Sequence, residues 1–378
     1  MDYETLKLVW WVLIGVLLIG FAVTDGFDMG VVSLLKVIGK TDDERRIMLN
    51  TVGPHWEGNQ VWFVTAGGAI FAAWPIVYAV AFSGLYWALL LVLFALFFRP
   101  VGFEYRSKIN SVRWRNNWDW LMTLGSAVPA LVFGVAFGNL FLGLPFTLDE
   151  MMRTEYQGSF WQLLSPFALL CGVVSLAMLA MHGAVYLQLK TEDELLVRAR
   201  WLTVITGLVT LLAFMAGGLW LLYGLEGFQV VGGLDTNGVM TPLDKQVKTG
   251  EALWFANYEL YPVTMLAPLF GIGALLLTVW LTLKHSSGWA FLSSSVAVAA
   301  IICTAGFSLF PFVMPSSVDP AFSLTLWDVV SSKKTLGIMF VVAVVFVPIV
   351  LAYTLWSYSK MWGVVKEEHI HADQIGMY

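Results

Sequence analysis

The sequence predicts an all-α integral membrane protein of about nine transmembrane helices. Its 378 residues are 58% hydrophobic and only 12% charged, about half the charged fraction of a typical soluble domain. Apolar runs near the roughly 20 residues that a bilayer requires recur along the whole chain. The predicted spans are 8–33, 54–74, 76–104, 117–143, 161–189, 199–224, 259–284, 289–313 and 335–361.

Two local patterns bear on how these helices turn and pack. The boundary at Pro75 is the weakest, because an uncharged Trp-Pro corner fits either a turn between two spans or a kink within a longer one. Gly26 and Gly30 lie four residues apart, as do Gly134 and Gly138. Such spacing of small residues favours close approach of helices in membranes. The ordinary abundance of glycine in membrane helices explains the spacing about as well.

A faint repeat suggests how the single polytopic membrane domain, 1–378, is organised. The segment GVLLIGFAVTDG from Gly15 and the segment GVVSLAMLAMHG from Gly172 both place Gly-Val ten residues before a polar residue and a glycine. This pattern is consistent with two similar four-helix units, at 1–145 and 160–315, followed by a ninth helix.

The ninth helix is predicted at 335–362 and is followed by a charged tail, 363–378. His369 and His371 form an HxH pair there, which we interpret as part of a solvated tail. The N-terminus, MDYE, is acidic and no cleavage site follows it, so a removable signal peptide is not expected.

The distribution of Lys and Arg predicts the orientation of the chain. Six of these residues fall at the N-terminus and in the even-numbered loops, fourteen fall on the opposite side, and Arg99 lies within the third span. Because an excess of positive charge marks the cytoplasmic side, the N-terminus is expected outside and the C-terminus inside. The basic residues are scattered without interleaved aromatic residues, so nucleic-acid binding is not expected.

Two carboxylates inside the first span are the main functional signal. Asp25 and Asp28 are three residues apart and share one helical face. An ionisable group in hydrocarbon costs at least about 2.5 kcal/mol on insertion scales, so such residues usually face the protein interior and mark an ion or proton path.

Counts of helical rise bring further polar residues to the same depth. Asp25 lies roughly 27 Å from Lys7, and Glu57 lies roughly 27 Å from Pro75, so both reach the cytoplasmic end of the bundle. The residues expected there are Asp25, Asp28, His55, Glu57 and Arg99, with Glu104 and Asp119 beside them.

These residue types suit proton transfer. Buried carboxylates beside a histidine can accept and release protons through intervening water, whereas an arginine keeps its proton and would pair with a carboxylate. The alternative is that these groups are interfacial charges and helix caps: Asp28 ending a span, Glu57 in a first turn, or Arg99 reaching the headgroups.

The sequence gives little support for a metal or haem site in this chain. His182 is the one histidine well inside a predicted span, and no second histidine faces it at a spacing typical of paired haem ligands. A hydrogen-bonded core residue is the better interpretation. Cys171 and Cys303 both fall in predicted helices, so neither a disulfide framework nor a cysteine metal site is indicated.

Four long segments resemble subunit II of the cytochrome bd quinol oxidases, and the resemblance runs nearly end to end. They are WWVLIGVLLIGFAVTDGFDMGV, ERRIMLNTVGPHWEGNQVWFVTAGGAIFAAWPIVYAVAFSGLY, FFRPVGFEYRSK and TAGFSLFPFVMPSS. The resemblance implies a multi-pass protein of the bacterial inner membrane, with two four-helix bundles and one further helix. It also implies a complex that oxidises quinol, reduces dioxygen to water and contributes to the proton motive force.

The resemblance further implies that two haems b and one haem d are ligated by subunit I, while this subunit binds none. Asp25, Asp28, Glu57 and Glu104 are similar to acids that line a cytoplasmic proton route towards haem d. Family members often carry Asp where this chain has Glu57 and Glu104, so charge is preserved while the extra methylene changes the hydrogen-bonding geometry.

Other expectations depend on the same resemblance. Subunit I is an expected partner, together with a small single-helix accessory subunit and membrane lipids, and a structurally bound quinone or lipid stays open. Trp62, beside Gly67 and Gly68, would border an apolar dioxygen path, although Trp packing is the simpler role. Two alternative functions remain: a proton-coupled secondary transporter, which interrupted helices at the midplane would favour, and a structural partner that only seats subunit I.

Overall fold

A computed structural model describes residues 1–366 and residue 368 of the chain. The HxH pair at His369 and His371, with most of the predicted tail, lies outside the described residues. The described part is built mainly of α-helices. They are α1 Tyr3–Ser33, α2 Leu35–Ile38, α3 Asp42–Val52, α4 Trp56–Ala73, α5 Pro75–Gly84, α6 Tyr86–Leu96, α7 Phe98–Tyr105, α8 Val112–Leu142, α9 Pro166–Lys190, α10 Asp193–Tyr223, α11 Ala256–Leu260, α12 Leu266–Leu283, α13 Ser287–Leu309 and α14 Lys333–Lys360.

Three short antiparallel hairpins lie in the connections, where the sequence indicated only loops. Their strands are β1 Phe146–Leu148 with β2 Thr154–Tyr156, β3 Glu226–Gly232 with β4 Gln246–Glu251, and β5 Phe312–Met314 with β6 Leu324–Thr325. The polar connection after α10 is therefore an ordered hairpin rather than an irregular loop.

Eight helices within the described residues are long and apolar enough to cross a membrane, or nine if the bent pair α4 and α5 is one span. The fold class is therefore confirmed. The axes of α4 and α5 meet at 118° across Trp74, so the chain turns at Pro75 instead of continuing through a kink. The predicted third span is divided into α5, α6 and α7, and Tyr86–Tyr105 alone is long enough to cross.

The helix starts are explained by caps that periodicity does not detect. The first helix begins five residues earlier than predicted because the Asp2 carboxylate accepts a hydrogen bond from the Thr5 amide at 2.9 Å. Helix α3 was not predicted at all. It begins with a reciprocal capping box between Thr41 and Glu44, and its sequence is too polar for a membrane span.

Helix α1 is the central element. It packs against α4, α8, α9, α13 and α14. Its closest approach is to α9, where a Cβ on Gly30 would overlap the carbonyl oxygen of Leu179 and the backbone of Gly183. The Gly134 and Gly138 positions of α8 likewise lie against the backbone of α9, so both glycine pairs serve close packing.

The remaining helices pack beside these. Helices α6 and α7 lie on α8, while α9, α10, α12 and α13 contact one another. Helix α14 contacts α1 and α4, and among its described residues only Leu336 is buried. The division of the chain into units at 1–145 and 160–315 stays a prediction.

Candidate functional site

Asp25 and Arg99 form a buried, two-point ion pair between α1 and α7. Arg99 Nη2 lies 2.6 Å from Asp25 Oδ1, and Nη1 lies 3.0 Å from Oδ2. Both side chains are almost completely buried. Arg99 is positioned because α7 packs against α8, where Gly102 faces Met122 without space for a Cβ. Such charge-assisted bidentate pairs fix geometry as well as charge.

Asp28 lies on the same face of α1 and belongs to a second arrangement. Its Oδ2 accepts a hydrogen bond from Asn59 Nδ2 at 2.7 Å, and its Oδ1 lies 3.6 Å from His55 Nδ1. Asn59 Nδ2 also lies 3.2 Å from His55 Nδ1. Asp28 is fully buried and Asn59 and His55 nearly so. We call Asp25, Asp28, His55, Asn59 and Arg99 the Asp28 cluster.

Two tyrosines from distant parts of the chain complete these contacts. The Tyr186 hydroxyl of α9 lies 2.9 Å from His55 Nε2 and donates to the Thr51 carbonyl oxygen at 3.0 Å. The Tyr358 hydroxyl of α14 donates to Asn59 Oδ1 at 2.6 Å. The Asp28 cluster therefore connects α1, α4, α7, α9 and α14.

Two polar atoms in this cluster are left without hydrogen-bond partners among the described residues. They are Asp28 Oδ1 and Arg99 Nε, both inaccessible to solvent in the isolated chain. Buried polar groups are nearly always satisfied, either by protein or by ordered water. Arg99 Nε is a donor that a water could satisfy, whereas Asp28 Oδ1 is an acceptor that could take a hydrogen bond from water or a transferred proton.

Glu57 and Glu104 do not join the Asp28 cluster. Both are exposed on the surface of the chain, on α4 and α7, and neither makes a hydrogen bond or ion pair within the described residues. The depth argument grouped them with Asp25 by distance along helices, but depth does not decide which way a side chain points. In this structure Glu57 and Glu104 face outwards.

Asp119 lies in a separate ion cluster at the start of α8. Its carboxylate lies 2.5 Å from Arg106 Nε and 2.8 Å from Arg45 Nε. Asp42 adds contacts to Arg106 Nη2 at 2.7 Å and Arg115 Nη1 at 3.0 Å. This network connects α3, α7 and α8, and its two carboxylates are matched by three guanidinium groups.

Trp62 packs against the first helix. Its indole ring occupies the space where a Cβ on Gly20 would lie, at 2.6 Å from Trp62 Cε3. A surface groove of about 370 Å³ lies farther along, lined by Val64, Gly67, Gly68, Phe71, Tyr78 and Phe82. Gly67 and Gly68 therefore line a groove that does not include Trp62.

The buried histidines have no nitrogen free for a metal. His182 Nδ1 lies 2.8 Å from Ser294 Oγ, and Nε2 lies 3.0 Å from the Val23 carbonyl oxygen. Both nitrogens of His55 are also hydrogen-bonded. Across residues 1–366 and 368, no group of three or more His, Cys, Asp or Glu side chains could hold a metal ion.

A third buried ionic arrangement lies at the opposite end of α1. Lys245 Nζ lies 2.9 Å from Asp328 Oδ2, with both side chains buried, and it also donates to the Pro242 carbonyl oxygen at 2.7 Å. Lys7 Nζ donates to the carbonyl oxygens of Trp327 at 2.7 Å and Gly238 at 3.0 Å. We call Lys7, Lys245 and Asp328 the Lys245 cluster.

Burial and pairing act in opposite directions on the ion pair of the Lys245 cluster. Burial lowers the pKa of Lys245, although the neighbouring Asp328 and Asp244 oppose this change. Burial likewise raises the pKa of Asp328 against the opposing effects of Lys245 and Thr325. The Asp328 carboxylate also accepts from the Thr325 amide at 2.9 Å and the Thr325 hydroxyl at 2.6 Å.

Sequence reasoning missed Asn59, Tyr186 and Tyr358. A signal for Asn59 was present, because it follows His55 by four residues and therefore shares its helical face. The tyrosines come from α9 and α14, far away in sequence, and no local pattern distinguishes them from the other tyrosines of a membrane protein.

Comparisons with known proteins agree with this architecture. The family model described as "Cytochrome bd terminal oxidase subunit II" matches residues 6–361. The chain is 52% identical over 377 residues to "Cytochrome bd-I ubiquinol oxidase subunit 2" of Escherichia coli (strain K12), with all of both chains covered. It is 54% identical over 377 residues to "Probable cytochrome oxidase subunit 2" of Haemophilus influenzae, again over the whole of both chains.

More distant relatives show the same relationship. "Cytochrome bd ubiquinol oxidase subunit 2" of Bacillus subtilis (strain 168) is 33% identical over 353 residues, covering 92% of this chain and 94% of that protein. The fold resembles a chain of the bd oxidase from Geobacillus thermodenitrificans, with a TM-score of 0.63, 14% identity and coverage of 93% and 97%. The chain therefore belongs to the cytochrome bd terminal oxidase subunit II family.

Proposed function

We propose that this chain is a haem-free subunit II that carries part of a proton path from the cytoplasm to the oxygen-reducing haem d of its complex. Membership of the family makes it a subunit of a terminal oxidase, an oxidoreductase complex that uses haem and quinol and contains a subunit I. The observation that carries the proposal is the Asp28 cluster, in which two carboxylates are buried among apolar helices with an unmatched oxygen.

The two carboxylates have different hydrogen-bond partners, which gives them different roles. Asp25 is held by two guanidinium hydrogen bonds, so Arg99 stabilises its charge and fixes its position. Asp28 accepts one amide hydrogen bond and retains a free oxygen. Asp28, with His55 beside it, is thus the group suited to accept and release a proton, while Arg99 organises the site.

Glu57 and Glu104 are proposed as the outer part of this path. Both belong to helices that border the membrane-embedded part of the chain, and both are exposed when the chain is considered alone. An exposed carboxylate facing lipid is unfavourable, whereas one that faces a polar partner surface is not. We infer that subunit I covers this side of α4 and α7 and that protons enter along it.

The haems of the complex, two of b type and one of d type, are assigned to subunit I. The hydrogen bonds on both nitrogens of His55 and His182 support this assignment. Electron transfer from quinol to dioxygen would then take place in the partner, and this chain would supply protons and structural support, making turnover electrogenic. No step at a haem is assigned to residues of this chain.

The orientation and neighbours follow from the same reasoning. Lys and Arg are concentrated in the connections on one side of the predicted spans, which supports a bacterial inner-membrane protein with a periplasmic N-terminus and a cytoplasmic C-terminus. A single-helix accessory subunit and lipids complete the proposed surroundings. The groove at Gly67 and Gly68 would accept an apolar guest such as a lipid chain, a quinone tail or dioxygen.

The decisive experiment replaces Asp28 with Asn and, separately, Glu57 with Gln in the purified complex, and it leaves the buried ion pair of Asp25 and Arg99 intact. Quinol-driven oxygen uptake and the reduced-minus-oxidised haem spectrum are measured on the same samples. We expect uptake to fall by roughly tenfold or more, with the haem b and d bands intact. Glu226→Gln is the matched control, because Glu226 is an exposed acid on the β3 hairpin.

Two outcomes would count against the proton path. Unchanged uptake in an intact complex would remove Asp28 and Glu57 from the reaction. Loss of the haem bands together with uptake would show that these acids serve assembly, which is the role of a purely structural partner.

A further inference from the structure

The hydrogen bonds around Asp28 form one directed chain. The Tyr186 hydroxyl donates its one proton to the Thr51 carbonyl oxygen. Towards His55 Nε2 the hydroxyl oxygen can therefore act only as an acceptor. In its neutral form His55 therefore carries its proton on Nε2, and Nδ1 has the lone pair. The donor that faces this lone pair is the Asn59 amide, 3.2 Å away.

The orientation of Asn59 is fixed from the other side. Tyr358 donates its hydroxyl proton to Asn59 Oδ1 at 2.6 Å, so the oxygen of the amide faces Tyr358 and its NH₂ group faces Asp28 and His55. One N–H donates to Asp28 Oδ2 at 2.7 Å, and the other is directed to His55 Nδ1. Both N–H donors of the Asn59 side chain and one of the two lone pairs of its Oδ1 are thereby used.

This arrangement holds Asp28 and His55 just apart. Asp28 Oδ1 is unmatched and lies 3.6 Å from His55 Nδ1, beyond the 2.7–3.2 Å of an ordinary N–H···O hydrogen bond. The Asn59 amide occupies the nitrogen that would otherwise take a proton towards Asp28. A proton that reaches Nδ1 must displace this amide contact, and Asp28 Oδ1 is the acceptor beside it.

We propose that Asn59 and Tyr358 are positioning residues that control proton uptake by the Asp28 and His55 pair. This inference rests on the proposed proton path. Tyr358 acts through Asn59: its hydroxyl fixes the amide, and the amide sets which nitrogen and which carboxylate oxygen are available. Neither residue accepts the transferred proton itself.

The last helix thereby becomes part of the site. Helix α14 is exposed along most of its length, and hydrogen bonds attach it near its two ends. Near its start, Trp10 Nε1 of α1 donates to the Leu336 carbonyl oxygen at 3.0 Å. Near its end, the Tyr358 ring lies 5.0 Å from the His55 ring and its hydroxyl reaches Asn59. A residue on the most exposed of the long helices thus fixes a buried polar group.

The test is Tyr358→Phe in the intact complex, which removes one hydroxyl and keeps the ring that packs on His55. Oxygen uptake is measured against quinol concentration in H₂O and in D₂O, with haem content on the same samples. We expect kcat to fall roughly threefold to tenfold, the value of one hydrogen bond expressed as a rate. The KM for quinol should stay constant, and the solvent isotope effect on kcat should increase.

Two further variants complete the design. Tyr353→Phe removes the same group from an exposed tyrosine of α14 and should match the unmodified complex in all three measurements. Asn59→Leu removes both amide contacts and should reduce kcat more than Tyr358→Phe, again with a larger isotope effect. A merely structural role would not change the isotope effect.

The outcomes separate this inference from the proton path itself. If Asp28→Asn is slow while Tyr358→Phe keeps the normal kcat and isotope effect, the path stands and the positioning role is wrong. If Asp28→Asn is also unaffected, the proton path fails together with the inference that rests on it. If Tyr358→Phe loses haem in proportion to its uptake, Tyr358 only holds the fold together, and the positioning role is again wrong.

Discussion

The Asp28 cluster and the Lys245 cluster lie towards opposite ends of α1, and both bury opposite charges, yet they are bonded differently. The carboxylate of Asp328 is matched by Lys245 and by two donors of Thr325. In the Asp28 cluster, Asp28 Oδ1 and Arg99 Nε are unmatched. A saturated ionic site holds a structure together, whereas an unsaturated one leaves an acceptor available for chemistry.

The largest effect expected from this comparison is at Arg99. Removing one partner of a buried ion pair leaves an uncompensated charge and typically costs about 3–5 kcal/mol. Arg99→Gln should therefore prevent stable accumulation of the complex. The double variant Arg99→Gln with Asp25→Asn should restore accumulation, as judged by haem content, but not oxygen uptake. Restored uptake would show that the pair is only structural.

The Lys245 cluster should behave differently in the same design. Lys245→Met leaves Asp328 buried and unpaired, and the Tm of the solubilised complex should fall strongly, because the lost pair is as buried as that of Arg99. In the double variant Lys245→Met with Asp328→Asn, the side-chain oxygen at position 328 can still accept a hydrogen bond from the backbone N–H of Thr325. Both the Tm and oxygen uptake should recover. If uptake stayed low in a double variant of normal Tm, the Lys245 cluster would have a role in the reaction. The proposed difference between the Lys245 cluster and the Asp28 cluster would then be wrong.

The smallest effect is expected at the half-buried pair of Glu44 and Arg198. Burial tends to raise the pKa of Glu44, but hydrogen bonds from Arg198 and from the Thr41 and Lys40 amides outweigh it and lower the pKa from 4.5 to about 2. The resulting stabilisation is complete above pH 4.5 and is lost as the pH falls towards 2.

Glu44→Gln keeps the capping box of α3 and removes only the charge, so it should lower the Tm slightly at pH 7. Exposed pairs contribute about 1 kcal/mol or less. The difference in Tm from the unmodified complex should narrow below pH 4.5 and stay constant between pH 6 and 8. A difference that grows on acidification would mean that the charge of Glu44 does not stabilise the fold.

Sequence reasoning predicted the membrane helices well because hydrophobic length is a local property. It placed the end of the first span at residue 33, where α1 ends. It missed α3 and the hairpins, because caps and strand pairs outside the membrane depend on individual hydrogen bonds rather than on hydropathy. Hydropathy also did not decide between a turn and a kink at Pro75, because both sides of this position are apolar.

The candidate site was predicted only in part. Asp25, Asp28 and Arg99 stood out because charge is rare in apolar runs, and the structure brings Asp25 and Arg99 together. Helical rise gave depth but not azimuth, and therefore did not distinguish the outward-facing Glu57 from the buried Asn59. Neutral residues such as Tyr358 carry no hydropathy signal, so their contribution depends on tertiary contacts.

The glycine crossing of α1 and α9 has a mechanical consequence. Gly30 touches the backbone of α9 directly, so a tilt of α1 rotates the helix about this point as about a pivot. By helical rise, Asp25 lies about 8 Å from the pivot and Lys7 about 35 Å. Membranes of different thickness change helix tilt, and a given tilt displaces Lys7 more than four times as far as Asp25. The buried hydrogen bonds from Lys7 to the Trp327 and Gly238 carbonyl oxygens resist this larger displacement, so the crossing at Gly30 and the contacts of Lys7 together hold the carboxylates at a fixed depth.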